Sequence, residues 1–197
     1  MSMNIPAENP FNYNLPVSPD MFYGRQPDCD KLCQGLTANK GDSYALIGGR
    51  RMGKTSLLEA IHRNLALGSE RFPVFPLPLM LDLTGKGIHS DGEFFRCVLE
   101  DVKTSLSECL GMQVDIPELG IGQPPAPFLT RQLPQWDRWV MNRHGRRLRF
   151  ILLLDECEQV ACQDWAADLY GALRSLLVGS ATRSNLKVVM VGSHGFL

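Results

Sequence analysis

The chain has 197 residues, is 44% hydrophobic, and sets 20 basic against 21 acidic side chains for a formal net charge of -1. That length buries one proper core with room for a small appendage. The near-neutral balance disfavours a broad nucleic-acid-binding surface, and no apolar run approaches the ~20 residues of a membrane helix.

Residues 1–20 are rich in Pro and Asn and read as an extended N-terminal segment held by Phe11, Tyr13 and Leu15. The Asn, Pro and Glu there stand where a secretory leader would carry positive charge and then an apolar block. Six cysteines (29, 33, 97, 109, 157 and 162) are scattered without a disulfide framework, and no His or Cys pair follows Cys29 and Cys33 at zinc spacing. The expectation is a cytoplasmic protein with reduced thiols and no membrane partner.

Met21-Phe22-Tyr23-Gly24-Arg25 precedes a helical stretch containing Leu32 and Leu36. Next, Tyr44-Ala45-Leu46-Ile47 reads as a buried strand, followed by Gly48-Gly49-Arg50-Arg51-Met52-Gly53-Lys54-Thr55 and then Ser56. This octet fits G-x-x-x-x-G-K-[ST]. Leu57, Leu58, Ile61 and Leu65 then recur at helical spacing up to a stop at Gly68. A strand, a glycine-rich turn and a helix N-terminus aim several backbone N–H groups at one anion, and the helix dipole adds to the attraction. Gly48 and Gly53 allow the tight bend. Lys54 is expected along the β- and γ-phosphates of a nucleotide, with the Thr55 hydroxyl on Mg²⁺.

A second strand runs through Leu79-Met80-Leu81-Asp82-Leu83, and Pro76 and Pro78 place it at a sheet edge. Ser90-Asp91-Gly92-Glu93 is a capping box that opens a long helix, whose buried stripe is Phe94, Val98, Val102, Leu106 and Leu110. Residues 112–127, with Gly120, Gly122, Pro124, Pro125 and Pro127 among them, read as a loop. Leu133, Trp136, Trp139 and Val140 mark a further helix whose two indoles face the core. Arg146, Arg147 and Arg149 read as a solvated lead-in to Phe150-Ile151-Leu152-Leu153-Leu154-Asp155-Glu156, a strand apolar enough to be covered on both faces. One more helix (Trp165, Leu169, Leu173, Leu176, Leu177) and a fourth strand over 186–193 complete the pattern.

Strands alternating with helices argue an α/β fold with a parallel sheet and right-handed crossovers. An apolar strand ending in Asp155-Glu156 supplies what magnesium-dependent phosphoryl chemistry needs opposite a phosphate loop. Asp155 is expected beside the metal with Thr55, and Glu156 as the base that polarises the attacking water.

These motifs together resemble the AAA+ and STAND-type P-loop ATPases, closest to the STAND-like and origin-recognition branches. The resemblance rests on the Walker A octet running on through Ser56-Leu57-Leu58, the Walker B strand 151–156, the final Gly192-Ser193 and the upstream Phe22-Tyr23-Gly24-Arg25. It implies a three-layer sheet of order 5-1-4-3-2, an ATP-hydrolysing core over residues 21–197, and ATP and Mg²⁺ as ligands. It further implies that Tyr23, Gly24 and Arg25 line the adenine side and that Ser193 reads the γ-phosphate, with His194 a weaker candidate for that task. Asp82 suits a structural hydrogen bond. The family's fifth strand, lid and sensor-2 arginine have no counterpart before Leu197. The chain is therefore expected to be a fragment whose further domains mediate self-association or hold a partner protein, with DNA a less favoured partner. No arginine finger is assignable beyond a weak case for Arg174, and Arg50 and Arg51 are expected to touch phosphate or nearby backbone.

Overall fold

In the computed structural model, which describes residues 24–84 and 87–193, four strands and six helices alternate along the chain. They are α1 (Gln26–Thr37), β1 (Tyr44–Ile47), α2 (Lys54–Leu67), β2 (Phe75–Asp82), α3 (Asp91–Leu110), α4 (Pro125–His144), β3 (Leu148–Asp155), α5 (Glu158–Ala161), α6 (Ala166–Val178) and β4 (Leu186–Gly192). The extended segment 1–20, Tyr23 and His194 lie outside the described residues.

All four strands pair in parallel, in the order β1-β4-β3-β2. Successive side chains of β3 alternate between the two faces. Leu148, Phe150, Leu152 and Leu154 pack with α3, α4 and α6, whereas Ile151 and Leu153 pack with α1 and α2. The result is three layers, helices over both faces of one sheet. No described helix is long and apolar enough to cross a membrane.

The prolines of β2 behave as an edge strand requires. The Phe75 N–H donates to Arg147 O at 2.8 Å, so in this parallel ladder the odd-numbered residues face β3. Pro76 and Pro78, the positions without a donor, point outward. The opposite edge, β1, is open, as the order 5-1-4-3-2 without a fifth strand requires, although 44–47 reads as a buried strand. β1 is half-exposed, with Ala45 open and Ile47 40% accessible, because β4 covers it on one side only.

The capping box holds in a shifted form. Ser90 Oγ accepts from the Glu93 N–H at 3.1 Å, and Glu93 reaches back to the N–H of His89 at 2.7 Å rather than to that of Ser90. Ser90→Ala is expected to lower stability by about 1 kcal/mol, a loss measurable as a lower urea midpoint at constant m-value.

Two further expectations are corrected. The loop assigned to 112–127 ends earlier, because α4 begins at Pro125 with Pro124 as its N-cap. First-turn N–H groups have no intrahelical partner, so proline costs nothing there. Of the arginines read as a solvated lead-in, Arg147 stays exposed, but Arg149 and Arg146 do not. Arg149 lies within β3, 2% exposed, and donates from Nη1 to the carbonyls of Leu36 (2.8 Å) and Ala38 (3.1 Å) at the end of α1. Arg146 donates to the Ser69 and Phe72 carbonyls and to Glu70, and stands over the Phe75 ring. Arg147 pairs with the buried Asp137 at 2.7 Å. This basic run is committed to holding the fold.

Candidate functional site

Residues 48–53 turn from the end of β1 into α2 through two left-handed positions, Arg51 (φ 63°) and Gly53 (φ 70°). Gly53 is the N-cap of α2 and supplies no side-chain acceptor, so the first N–H groups of the helix remain directed at the loop's concavity. The Lys54 Nζ folds back over this loop and donates to Gly48 O and Gly49 O, each at 2.9 Å. From the other side the Met52 Sδ accepts the Gly49 N–H at 3.1 Å. Arg25, at the head of α1, donates from Nη1 to Met52 O at 3.1 Å and pairs with Asp28 at 3.4 Å. It thus tethers the loop to α1 from outside. Gly48 and Ser56 are buried, Gly49 and Thr55 half-buried, and Arg50, Arg51 and Met52 exposed. A groove of about 480 Å³ runs beside the loop, lined by Arg25, Leu46, Gly48, Met52, Lys54 and Leu57 among others.

The acidic pair stands on the same rim. Ile47 pairs with Gly192 and Leu154 with Met190, so the ends of β1 and β3 flank the end of β4 at one level. Two inter-strand steps of about 4.8 Å set these strand ends roughly 10 Å apart. Asp155 is 4% exposed, and its Oδ1 accepts the Glu156 N–H at 3.0 Å. Glu156 takes a left-handed backbone conformation (φ 55°) that turns its side chain off the strand direction. Such a conformation in a non-glycine residue costs about 1–3 kcal/mol and persists only where its surroundings enforce it. Here Cys157 N–H donates to Val191 O at 2.9 Å, and the Leu83 N–H donates to Asp155 O at 3.3 Å, pinning the turn to both neighbouring strands.

Burial, followed by the nearby carboxylates of Glu158 and Asp155, pushes the Glu156 carboxyl above its ordinary value, while Lys54 pulls it down. Asp82, at the end of β2, also acts on Glu156; its Oδ1 accepts from the N–H and hydroxyl of Thr84 at 2.9 and 2.6 Å. Ser193 follows β4 directly. Its N–H donates at 3.2 Å to Glu158, a residue that sequence reasoning passed over. Nothing in the local pattern flags Glu158, since its partner lies 35 positions away and meets it only because β3 and β4 are neighbours. Arg174 sits on the exposed side of α6.

Lys54, Thr55, Asp155, Glu156 and Ser193 therefore gather at one end of the sheet. Among the described residues no group of three or more His, Cys, Asp or Glu side chains is arranged to hold a metal by itself. Oxygen donors at the site come from a hydroxyl and a carboxylate on separate elements.

No protein-family model matches the sequence, and no curated protein matches it. Solved structures do resemble the fold. The Aeropyrum pernix ORC1 protein, solved in complex with DNA, is 18% identical with a TM-score of 0.58 over 90% of this chain and 41% of its own. The Aeropyrum pernix ORC2 protein, solved as ADPNP–ADP complexes, is 15% identical with a TM-score of 0.59, over 87% of this chain and 41% of that one. The Walker-type ATPase PABY2304 of Pyrococcus abyssi is 19% identical with a TM-score of 0.57, over 88% and 46%. The chain thus spans less than half the length of each. At these identities the likeness is one of fold, and that fold is the α/β P-loop NTPase, with the β1-β4-β3-β2 order that the family resemblance implies.

Proposed function

We propose that this chain is an ATP-binding module of the AAA+ or STAND type that hydrolyses ATP and acts as a nucleotide-driven conformational switch. One observation carries the reading: the phosphate loop and the Asp155-Glu156 strand end share a rim of the sheet, with only β4 between them. The ADPNP–ADP complexes of the Aeropyrum ORC2 neighbour support an adenine nucleotide as the ligand.

The loop N–H groups and Lys54 bind the phosphates. Lys54 exchanges its two carbonyl partners for phosphate oxygens, which gives its ammonium charge-assisted acceptors. A hydroxyl and a buried carboxylate are the hard oxygen ligands that Mg²⁺ accepts, and magnesium held by Thr55 and Asp155 supplies the charge that offsets the phosphates. Glu156, with its raised proton affinity, orients the attacking water and takes its proton. Ser193 donates to the terminal phosphate. Gly24 and Arg25 flank the base end of the nucleotide. Nucleic acid is no part of this proposal, since Arg146, Arg147 and Arg149 are all engaged within the fold.

A second reading, a nucleotide-bound assembly scaffold with little turnover, draws on the Lys54 ammonium being already satisfied by the loop. Lys54→Ala tests the common ground. Losing one charge-assisted phosphate contact of about 1.5–3 kcal/mol weakens ATP binding roughly 10- to 100-fold, as read by titration calorimetry. Unchanged affinity overturns the assignment of the loop. Phosphate release by the unmodified chain, measured against a no-enzyme blank, then separates switch from scaffold.

A further inference from the structure

Met52 is the one residue of the octet 48–55 that is neither a glycine nor charged nor hydroxyl-bearing. It stands between the two left-handed positions of the turn, Arg51 and Gly53, and is 62% exposed. Its thioether nevertheless folds back over the loop. The Sδ accepts the Gly49 N–H at 3.1 Å, and a Cβ built on Gly48 would meet it at 3.3 Å, so the sulfur rests on bare glycine backbone. Lys54 shares that seat. Its Cδ lies 3.7 Å from the same Gly48 position, and its Nζ holds the Gly48 and Gly49 carbonyls. From outside, Arg25 donates to the Met52 carbonyl at 3.1 Å, so the side chain hangs from a pinned backbone.

A thioether is a weak acceptor, so a nucleotide entering the loop displaces it at little cost. The same sulfur is open to two-electron oxidation by a hydroperoxide. A lone pair on Sδ attacks one peroxide oxygen, and the S–O bond forms as the O–O bond breaks. The proton of the transferred oxygen passes to the departing hydroxyl, which leaves as water. Thioether becomes sulfoxide, and the peroxide is reduced. The new oxygen is polar and partly negative, a far better acceptor than sulfur. Beside the Gly49 N–H it satisfies from within a loop whose N–H groups and lysine serve phosphate, and it repels phosphate oxygens.

Resting on the ATP-binding reading above, we infer that Met52 is an oxidative modification site: peroxide converts it to the sulfoxide, which latches the phosphate loop against nucleotide, and methionine sulfoxide reduction releases it.

The test treats the whole chain with dilute hydrogen peroxide, then with dithiothreitol to return oxidised cysteines to thiols. The Kd for ADP is measured by calorimetry before and after, and peptide mass spectrometry locates each added oxygen. Unmodified protein is run beside Met52→Leu and Met112→Leu. Met112 is the control because it is as exposed, at 63%, and lies just past the end of α3. Oxidation is expected to weaken ADP binding to the unmodified chain about tenfold, and to Met112→Leu equally. The two epimer-specific methionine sulfoxide reductases should restore it. Met52→Leu should change by less than about twofold from its own untreated value. An equal loss in Met52→Leu overturns the inference, because other residues then account for it. So does an unchanged Kd once Met52 carries its oxygen, and so does a Met52 that stays reduced while Met112 is oxidised.

The Gly49 amide resonance reads the latch without any nucleotide. It should move downfield when the unmodified chain is oxidised and stay put in treated Met52→Leu. An unmoved resonance in the oxidised chain refutes the inference on its own. If ADP fails to bind the untreated chain, the ATP-binding reading falls and takes this inference with it. If ADP binds the untreated and oxidised chains alike, only the inference falls.

Discussion

Glu156→Gln is expected to lower steady-state phosphate release by about 10²- to 10⁴-fold, the usual contribution of a positioned general base, while ATP affinity stays within a few-fold. Gln has nearly the shape of Glu and still accepts hydrogen bonds, but it cannot take a proton from water. The substitution also removes one carboxylate from a crowd that includes Asp155, Glu158 and Asp82, so nucleotide binding should tighten slightly rather than weaken. The left-handed backbone at this position is as costly for Gln as for Glu, so folding is unaffected. Phosphate release and a fluorescent-nucleotide titration on the same preparation decide the matter. Equal rates in the two proteins remove Glu156 from the chemistry and leave the scaffold reading standing. A fall in affinity as large as the fall in rate assigns the residue to binding.

Trp136→Ala is expected to cost about 3–5 kcal/mol of stability. Trp136 is fully buried on the inner side of α4 and meets the Phe150 ring of β3 at 6.4 Å between centroids. Removing the indole opens a hole between the central strand and the helix that covers it, and neither side can collapse into it without moving β3. For a chain of this size the loss lowers the melting temperature by roughly 10 °C. The indole Nε1 is buried with no hydrogen-bond partner among the described residues. Trp136→Phe gives up part of the volume but also relieves an unmet N–H, worth about 1–3 kcal/mol, so it should be much milder than Ala. Urea or thermal melts of the pair check this. Phe as damaging as Ala shows that the indole N–H is satisfied after all.

The elements most legible in the sequence were those whose signal is local. The octet at 48–55 states its own backbone requirements, and the apolar stripe of α2 needs only 3.6-residue spacing to be seen. Pro76 and Pro78 located the sheet edge because a missing donor admits few positions. Asp155-Glu156 stood out because five apolar residues precede it. What escaped was set by partners distant in the chain. Arg149 reads as a surface residue until the carbonyls ending α1, more than a hundred positions earlier, are placed beneath it. Glu158 acquires meaning only once β3 and β4 are neighbours. The exposure of β1 is not written in its four apolar residues, which read as a buried strand; it follows from the strand order that the resemblance implies once the fifth strand is missing. Pro125 was read as a loop breaker because proline ends helices more visibly than it begins them.

The outward-facing prolines of β2 also govern how copies of this domain can meet. Another strand seeking the β2 margin finds Pro76 and Pro78 offering carbonyls without the matching N–H groups, so pairing there is crippled. Among the described residues the β1 margin carries no such block. By sheet extension, then, the described part of the molecule has one usable side. Two copies joined along it would exhaust each other, and growth into a fibre by this route is denied at the second member.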